Sequence, residues 1–268
     1  MSGPLTRGVA DKAREVVRQW PEVPGLHDVE TLLRVLAKWR SQVLGLTYQS
    51  HHGPTIMGGL FAGMTYLDET AEGSLISRML GTYEAALQPH IQAIIDEGVD
   101  CVLDVGCAEG YYAVGIARRW PALTVHAFDI DPRARAKCAE LAARNGVSDR
   151  VIIGEAFKPE DFEAYAGRRT LVLVDAEGAE LDILQPALGP ALAGMSVVVE
   201  THDVWRPGAL AELKERFQPS HDIVQVDGLH GEAALPDWLL RLSELDQLLA
   251  QWEWRHRLTP WLVMRPKA

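Results

Sequence analysis

The sequence predicts an α/β fold with a mostly parallel sheet covered by helices on both faces, and three observations carry that expectation. From residue 77 onward, short apolar runs alternate with amphipathic helical stretches, the strand–helix rhythm of a parallel sheet. The runs are continuous and rich in β-branched residues, as in Cys101-Val102-Leu103-Asp104-Val105 and Leu171-Val172-Leu173-Val174, so they belong to strands buried on both sides. Several end on an acidic side chain (Asp129, Asp175, Glu200), at the edge where open α/β sheets bind ligands.

Residues 8–20 and 27–45 have helical periodicity, the second with Leu32, Leu33, Leu36, Val43 and Leu44 toward one side, and Pro21 and Pro24 separate them. Residues 53–70 are rich in Gly and Met and follow neither period. A mobile segment beside a ligand and a plain linker both fit, so residues 1–76 are expected to form a helical N-terminal extension or lid. A domain over 77–268 follows. It opens with a helix over 77–97, a strand over 101–105, a helix over 111–120 and a strand over 125–129. A helix over 132–145 is closed by Gly146, followed by a strand over 151–153 and a short helix over 159–165. The pattern continues with a strand at 171–175, a helix at 179–192, a strand at 197–200, a helix at 208–217 and a strand at 223–226. A helical insertion at about 229–257 precedes the last strand, 260–264.

The 268 residues are 47% apolar, enough for one α/β domain and an appended segment, and carry a net charge of −11. Phosphate recognition needs a basic face, so a nucleic-acid partner is disfavoured, and the same charge repels an anionic membrane. No apolar run reaches the roughly 18 residues of a membrane span. Cys101, Cys107 and Cys138 cannot all pair and match no zinc-site spacing, and the first seven residues lack a secretory hydrophobic run. Reduced thiols in a cytoplasmic protein are the expectation.

The ligand-binding chemistry starts at Asp104-Val105-Gly106-Cys107-Ala108-Glu109-Gly110. Gly106 and Gly110 permit a sharp turn and close backbone approach, and the following helix offers free N–H groups. Asp129 closes the second strand, where an acidic side chain can accept bonds from two ribose hydroxyls. A dinucleotide site would use G-x-G-x-x-G for a diphosphate; an acidic loop containing Asp104 and Glu109 suits a cation instead. The pattern acidic-x-Gly-x-Ala-x-Gly resembles motif I of class I S-adenosylmethionine-dependent methyltransferases, with Ala108 at the usual middle glycine. That family has a Rossmann-like sheet of seven strands, the last antiparallel. The resemblance implies S-adenosylmethionine as cofactor, with Asp104, Gly106, Cys107, Ala108 and Gly110 about its amino-acid part and Asp129 and Ile130 at the ribose. It also implies Glu155 and Ala156 at adenine. Asp175-Ala176-Glu177-Gly178-Ala179-Glu180 is similar to the D-x-E-G-x-E signature of FkbM-type enzymes, mostly small-molecule O-methyltransferases, which puts Asp175 near the cofactor. Gly81-Thr82-Tyr83-Glu84 also recurs in related bacterial enzymes and implies that Glu84 meets the methionine part; a solvated Glu84 on a helix is the alternative.

On the acceptor side three accounts stay open. His202 at a strand end is the preferred general base, with Asp175 beside it. Alternatively Asp175, Glu200 and either Asp203 or His202 hold Mg²⁺ or another divalent metal, as some related natural-product enzymes do. In the third account, positioning alone drives transfer, with Glu177 and Glu180 merely capping the next helix. His51-His52 could enter from a lid. The C-terminal tryptophans Trp238, Trp252, Trp254 and Trp261, with Leu239, Leu242, Leu245, Leu248 and Leu249, form either a core or homodimer contact or an apolar pocket for an aromatic or hydrophobic small-molecule acceptor. N-methylation and a non-catalytic S-adenosylmethionine-binding protein are the alternatives to O-methyl transfer.

Overall fold

The computed structural model describes residues 3–71, 73–227 and 235–267. The chain opens with α1 (Pro4–Arg18), whose proline sits in the first turn where a missing N–H is harmless, and α2 (Leu26–His52), which packs along it. Residues 53–71 are neither linker nor lid. Ile56, Leu60, Phe61, Met64, Tyr66 and Leu67 are buried in the main core. A bridge pairs Thr55 with Thr65, and Asn145 both accepts from the Thr65 N–H (2.9 Å) and donates to its carbonyl (2.8 Å). The glycines here serve tight turns within packed backbone, which a periodicity test cannot register.

The helix expected over 77–97 is two helices, α3 (Leu75–Leu80) and α4 (Gln88–Asp96). Gly81 breaks it in the left-handed region (φ +78°), where a Cβ would lie 2.0 Å from the Gly58 carbonyl oxygen. The break places Glu84 on the loop between them.

The alternation then runs β1 (Cys101–Val105), α5 (Tyr111–Arg119), β2 (Thr124–Phe128), α6 (Pro132–Arg144), β3 (Val151–Gly154) and β4 (Thr170–Val174), with a 3₁₀ turn at Pro159–Tyr165. Beyond β4, the helix expected over 179–192 shrinks to α7 (Glu180–Ile183) and a 3₁₀ turn at Pro190–Gly194. Pro186 cannot continue a helix, and a Cβ on Gly189 would meet the Pro159 carbonyl oxygen at 2.2 Å. Then come β5 (Ser196–Glu200), α8 (Ala209–Phe217), β6 (His221–Val226), α9 (Asp237–Leu240), α10 (Glu244–Gln251) and β7 (Trp261–Pro266). The first residues of the expected insertion, 229–234, lie outside the described residues.

The sheet order is β3-β2-β1-β4-β5-β7-β6, with β7 antiparallel to β5 and β6 and the other pairs parallel. This is the Rossmann-like seven-stranded arrangement, and its strand order reverses direction between β1 and β4. Alternate residues feed opposite cores: Val102 and Leu173 face the layer with α3, α4 and residues 53–71, Leu103 and Val172 the layer with α8. The insertion is clamped to α2 by a bidentate pair, Arg40 Nε to Asp246 Oδ1 at 2.6 Å and Nη2 to Oδ2 at 2.8 Å.

The two kinds of left-handed glycine separate experimentally. Gly146→Ala, with open space about its Cβ at φ +66°, should cost about 1–2 kcal/mol from backbone strain alone. Gly81→Ala adds a backbone collision and should cost about 1–3 kcal/mol more, read as the shift in urea unfolding free energy.

Candidate active site at the carboxyl edge of the sheet

After β1 the chain turns at Gly106 (φ +87°), where a Cβ would sit 1.7 Å from the Asp175 carbonyl oxygen. Only glycine lets the β1 and β4 ends come this close. Asp129, at the end of β2, shapes the loop: Oδ2 accepts from the Ala108 N–H (2.9 Å) and Oδ1 from the Asp131 N–H (2.8 Å). Each oxygen keeps a further lone pair. Glu109 is taken up internally and does not add to an acidic ligand face. It is buried, accepts from the Tyr66 hydroxyl and the Ala71 N–H (3.1 Å), and lies 3.4 Å from Arg78 Nε.

A cavity opens here, lined among others by Tyr83, Asp104, Gly106, Tyr111, Asp175 and Trp261. Five polar atoms about it are buried without a hydrogen-bond partner: the acceptors Asp104 Oδ2 and Asp175 Oδ1, the Trp261 Nε1–H and Arg78 Nε–H donors, and the Tyr111 hydroxyl. Each such group costs about 1–3 kcal/mol unless something else pairs with it. Burial, then the proximity of Asp175, pushes the Asp104 carboxyl up to about 7, although the Ala113 N–H opposes the shift. Burial also raises Asp175 to about 7, outweighing the opposing pull of His202. Both carboxyls are held where a cation would draw off their protons.

Beside the cavity lies a second constellation. His202 is buried, and its Nδ1 is 2.7 Å from Glu180 Oε1, which also accepts from the Gly178 N–H at 3.0 Å. Its Nε2 faces Glu177 Oε2 (3.5 Å), Asp175 Oδ1 (3.6 Å) and Glu200 Oε2 (3.9 Å). Burial works to lower the imidazole pKa, but the bond to Glu180 and the surrounding carboxylates prevail and raise it. Arg255, from the chain just before β7, binds Glu84 (2.5 Å), Glu253 (2.9 Å) and Glu200. Burial lifts Glu253 to about 8, with Glu84 adding to the rise.

The structure therefore gathers Asp104, Gly106, Cys107, Ala108 and Asp175 along one cavity, with Gly110 leading into α5, Asp129 holding the loop, and His202 and Glu200 adjoining. Other expected site residues lie elsewhere. Asp203 does not join the acidic cluster: it accepts from the Gly208 and Leu210 N–H groups (2.8 and 3.1 Å) at the start of α8. Glu84 is neither solvated nor among the cavity-lining residues, being held by Arg255 and the Tyr112 hydroxyl. Ile130 is 82% exposed; Glu155 and Ala156 are exposed, with Glu155 3.4 Å from Arg135. His51 and His52 end α2 on the surface, with the His52 ring beside Tyr48 and Trp238. Arg78, Tyr111, Tyr112 and Arg255 went unnoticed in the sequence. Tyr111-Tyr112 directly after Gly110 was a usable signal, because the first turn of that helix must face the loop; Arg255 had none.

Residues 102–201 match the model of a family described as a methyltransferase domain. This stretch resembles a methyltransferase domain. Ribosomal protein L11 methyltransferase of Psychrobacter cryohalolentis is 36% identical over 122 residues, covering 44% of this chain and 38% of that protein. The protein of the same name from Psychrobacter arcticus is 34% identical over 90 residues, covering 34% and 28%. The chain thus spans well under half the length of these relatives. Among solved structures, the O-methyltransferase TomG of Streptomyces achromogenes superposes with a TM-score of 0.46 at 14% identity, covering 68% of this chain and 79% of TomG. A human methyltransferase 10 domain-containing protein does so with 0.47 at 11%, covering 85% and 97%. The fold is read from the strand order. The matched stretch contains the Gly106 loop, Asp129, Asp175 and Glu200, whereas Arg255 and Trp261 come from beyond it.

Arg255→Met should expose the dependence of this edge on its guanidinium. Unpaired buried carboxylates cost about 3–5 kcal/mol, and acid relieves them by protonation. Urea unfolding should show a larger loss at pH 8 than at pH 5.5.

Proposed function

We propose that this chain is an S-adenosylmethionine-dependent methyltransferase acting on a hydroxyl of a small, apolar or aromatic acceptor. One observation carries the reading: unpaired acceptors (Asp104 Oδ2, Asp175 Oδ1) and unpaired donors (Trp261 Nε1, Tyr111 hydroxyl) share one cavity behind the glycine loop. An amino-acid zwitterion beside a sulfonium offers the matching charges, an ammonium for the carboxylates and a carboxylate for the donors. A diphosphate would meet two buried carboxyls. The methyltransferase domain match and the FkbM-type resemblance of Asp175–Glu180 agree with this choice.

When bound, S-adenosylmethionine supplies a methyl carbon already activated by its sulfonium and leaves as S-adenosylhomocysteine. The chain must orient the acceptor and take its proton. Glu180 fixes His202 through Nδ1, leaving Nε2 toward the cavity side to receive that proton. The aromatic rings of Tyr83, Tyr112 and Trp261 line the same space and favour a flat or apolar acceptor. The net charge of −11 weighs against a nucleic acid. With Cys101, Cys107 and Cys138 free and buried, and no described helix long and apolar enough to cross a membrane, we place the enzyme in the cytoplasm.

A second reading has an observation of its own. Asp175, Glu200 and His202 each offer one donor atom, all within 4.8 Å of one another. Arg255 engages Glu200 Oε1 and leaves Oε2 free, so the set fits a divalent cation; the imidazole suits a transition metal better than Mg²⁺. Such an ion would lower the pKa of an acceptor hydroxyl.

His202→Gln should lower kcat by about 10²–10⁴-fold and leave the affinity for S-adenosylmethionine within a few-fold. Because the His202 pKa is raised above 6.5, the neutral base forms only as pH climbs, so kcat should rise through and beyond neutrality. Activity that survives EDTA supports the base; activity lost to EDTA and restored by Mn²⁺ supports the metal. Cofactor binding with no transfer to hydroxyl acceptors would overturn the proposed reaction.

A further inference from the structure

Arg78 is a buried cation with more donors than the protein supplies acceptors for. It sits on α3, 4% exposed, and lines the cavity behind the glycine loop. A guanidinium carries five N–H donors and keeps its charge throughout the working pH range. Among the described residues it makes one hydrogen bond, from Nη1 to the Ser74 carbonyl at 3.3 Å, and its Nε–H has none. Glu109 Oε1 stands 3.4 Å from Nε and supplies the opposite charge, while its carboxylate accepts from the Tyr66 hydroxyl and the Ala71 N–H instead. The guanidinium is nonetheless held in place. Its Cζ lies 3.9 Å from the centre of the Tyr83 ring, and a Cβ on Gly73 would come within 2.8 Å of Nη1. A fixed, under-bonded buried charge is costly in the protein alone, and a ligand that accepts from it removes that penalty.

Two more donors about the same cavity lack partners, the Trp261 Nε1–H and the Tyr111 hydroxyl. An acceptor-only group with several lone pairs answers such a set, and a carboxylate pairs with a guanidinium through two parallel bonds. A phosphoryl group would answer the donors too, but would bring further negative charge into a cavity that also holds Asp104 and Asp175. We propose that Arg78 anchors the carboxylate of the cofactor's amino-acid part and makes the enzyme selective for a cofactor that keeps this group, an assignment that rests on the S-adenosylmethionine reading. Trp261 and Tyr111 complete the set of donors, and Asp104 and Asp175 answer the ammonium. Selectivity for the intact amino-acid tail then comes from α3, which lies outside residues 102–201. A ligand without the carboxylate leaves the guanidinium as under-bonded as it was, so it gains little from the same cavity.

Titration calorimetry of the full chain with S-adenosylhomocysteine and with its decarboxylated analogue tests the assignment, because the two ligands differ in that one group. The wild type should bind the decarboxylated compound about 10²-fold more weakly, the size of one or two charge-assisted hydrogen bonds. Arg78→Met should weaken S-adenosylhomocysteine by about as much and leave the decarboxylated compound within a few-fold, so the ratio collapses. Arg78→Lys keeps a charge beside Glu109 but loses the planar fork, and should give an intermediate ratio. Circular dichroism confirms that each variant folds. Equal affinities of the wild type for the two ligands would overturn the assignment, as would folded Arg78 variants that keep the wild-type ratio. A wild type that binds neither ligand would overturn the S-adenosylmethionine reading itself, and this assignment with it.

Discussion

Two buried carboxyl groups, Asp104 and Asp175, meet at the ends of β1 and β4 with an oxygen of each lacking a partner. Parallel strands put their carboxyl ends side by side, and the Gly106 backbone removes the last spacing between them. Low local polarity then makes each charge hard to hold, and both groups rise to about 7. Of the positive groups nearby, Arg78 lines the cavity and lies against Glu109 and over the Tyr83 ring (3.9 Å), and Arg255 spans Glu84, Glu200 and Glu253.

The surrounding structure braces that edge from both sides. Residues 53–71, for which the sequence left a mobile segment and a plain linker both open, wedge Tyr66 against Glu109, so the glycine loop is braced from the N-terminal side. From the C-terminal side, Glu253 accepts from the Glu84 N–H (2.8 Å) and Arg255 reaches the β5 end. The edge within the matched stretch 102–201 is therefore braced by segments that lie outside it. Trp261 and Tyr83 line the cavity, and neither belongs to that stretch.

The strands were legible because burial on both faces leaves continuous apolar runs, and the order of their acidic ends located the cavity. Helix continuity was less legible. Gly81 and Gly189 each look tolerable within an amphipathic pattern, and only the nearby Gly58 and Pro159 carbonyls show why glycine stands at each. Asp203 looked like a ligand because it sits at a strand end, but the free N–H groups of α8 take it. Arg255 was invisible for a different reason: its partner Glu84 is 171 residues away, and ion pairs at that separation leave no periodic trace. The same holds for Tyr66 and Glu109, whose contact reverses the meaning of an acidic residue within the glycine motif.

The central claim is that Asp104 and Asp175 await a cationic ligand, and proton release on binding tests it most directly. Titration calorimetry with S-adenosylmethionine at neutral pH, repeated in buffers of different ionisation enthalpy, counts the protons exchanged. Carboxyls held at about 7 must lose their protons to pair with an ammonium and sulfonium, so net release is expected, reduced in Asp104→Asn. Binding of NADH with no binding of S-adenosylmethionine, or cofactor binding without proton release, would contradict the account.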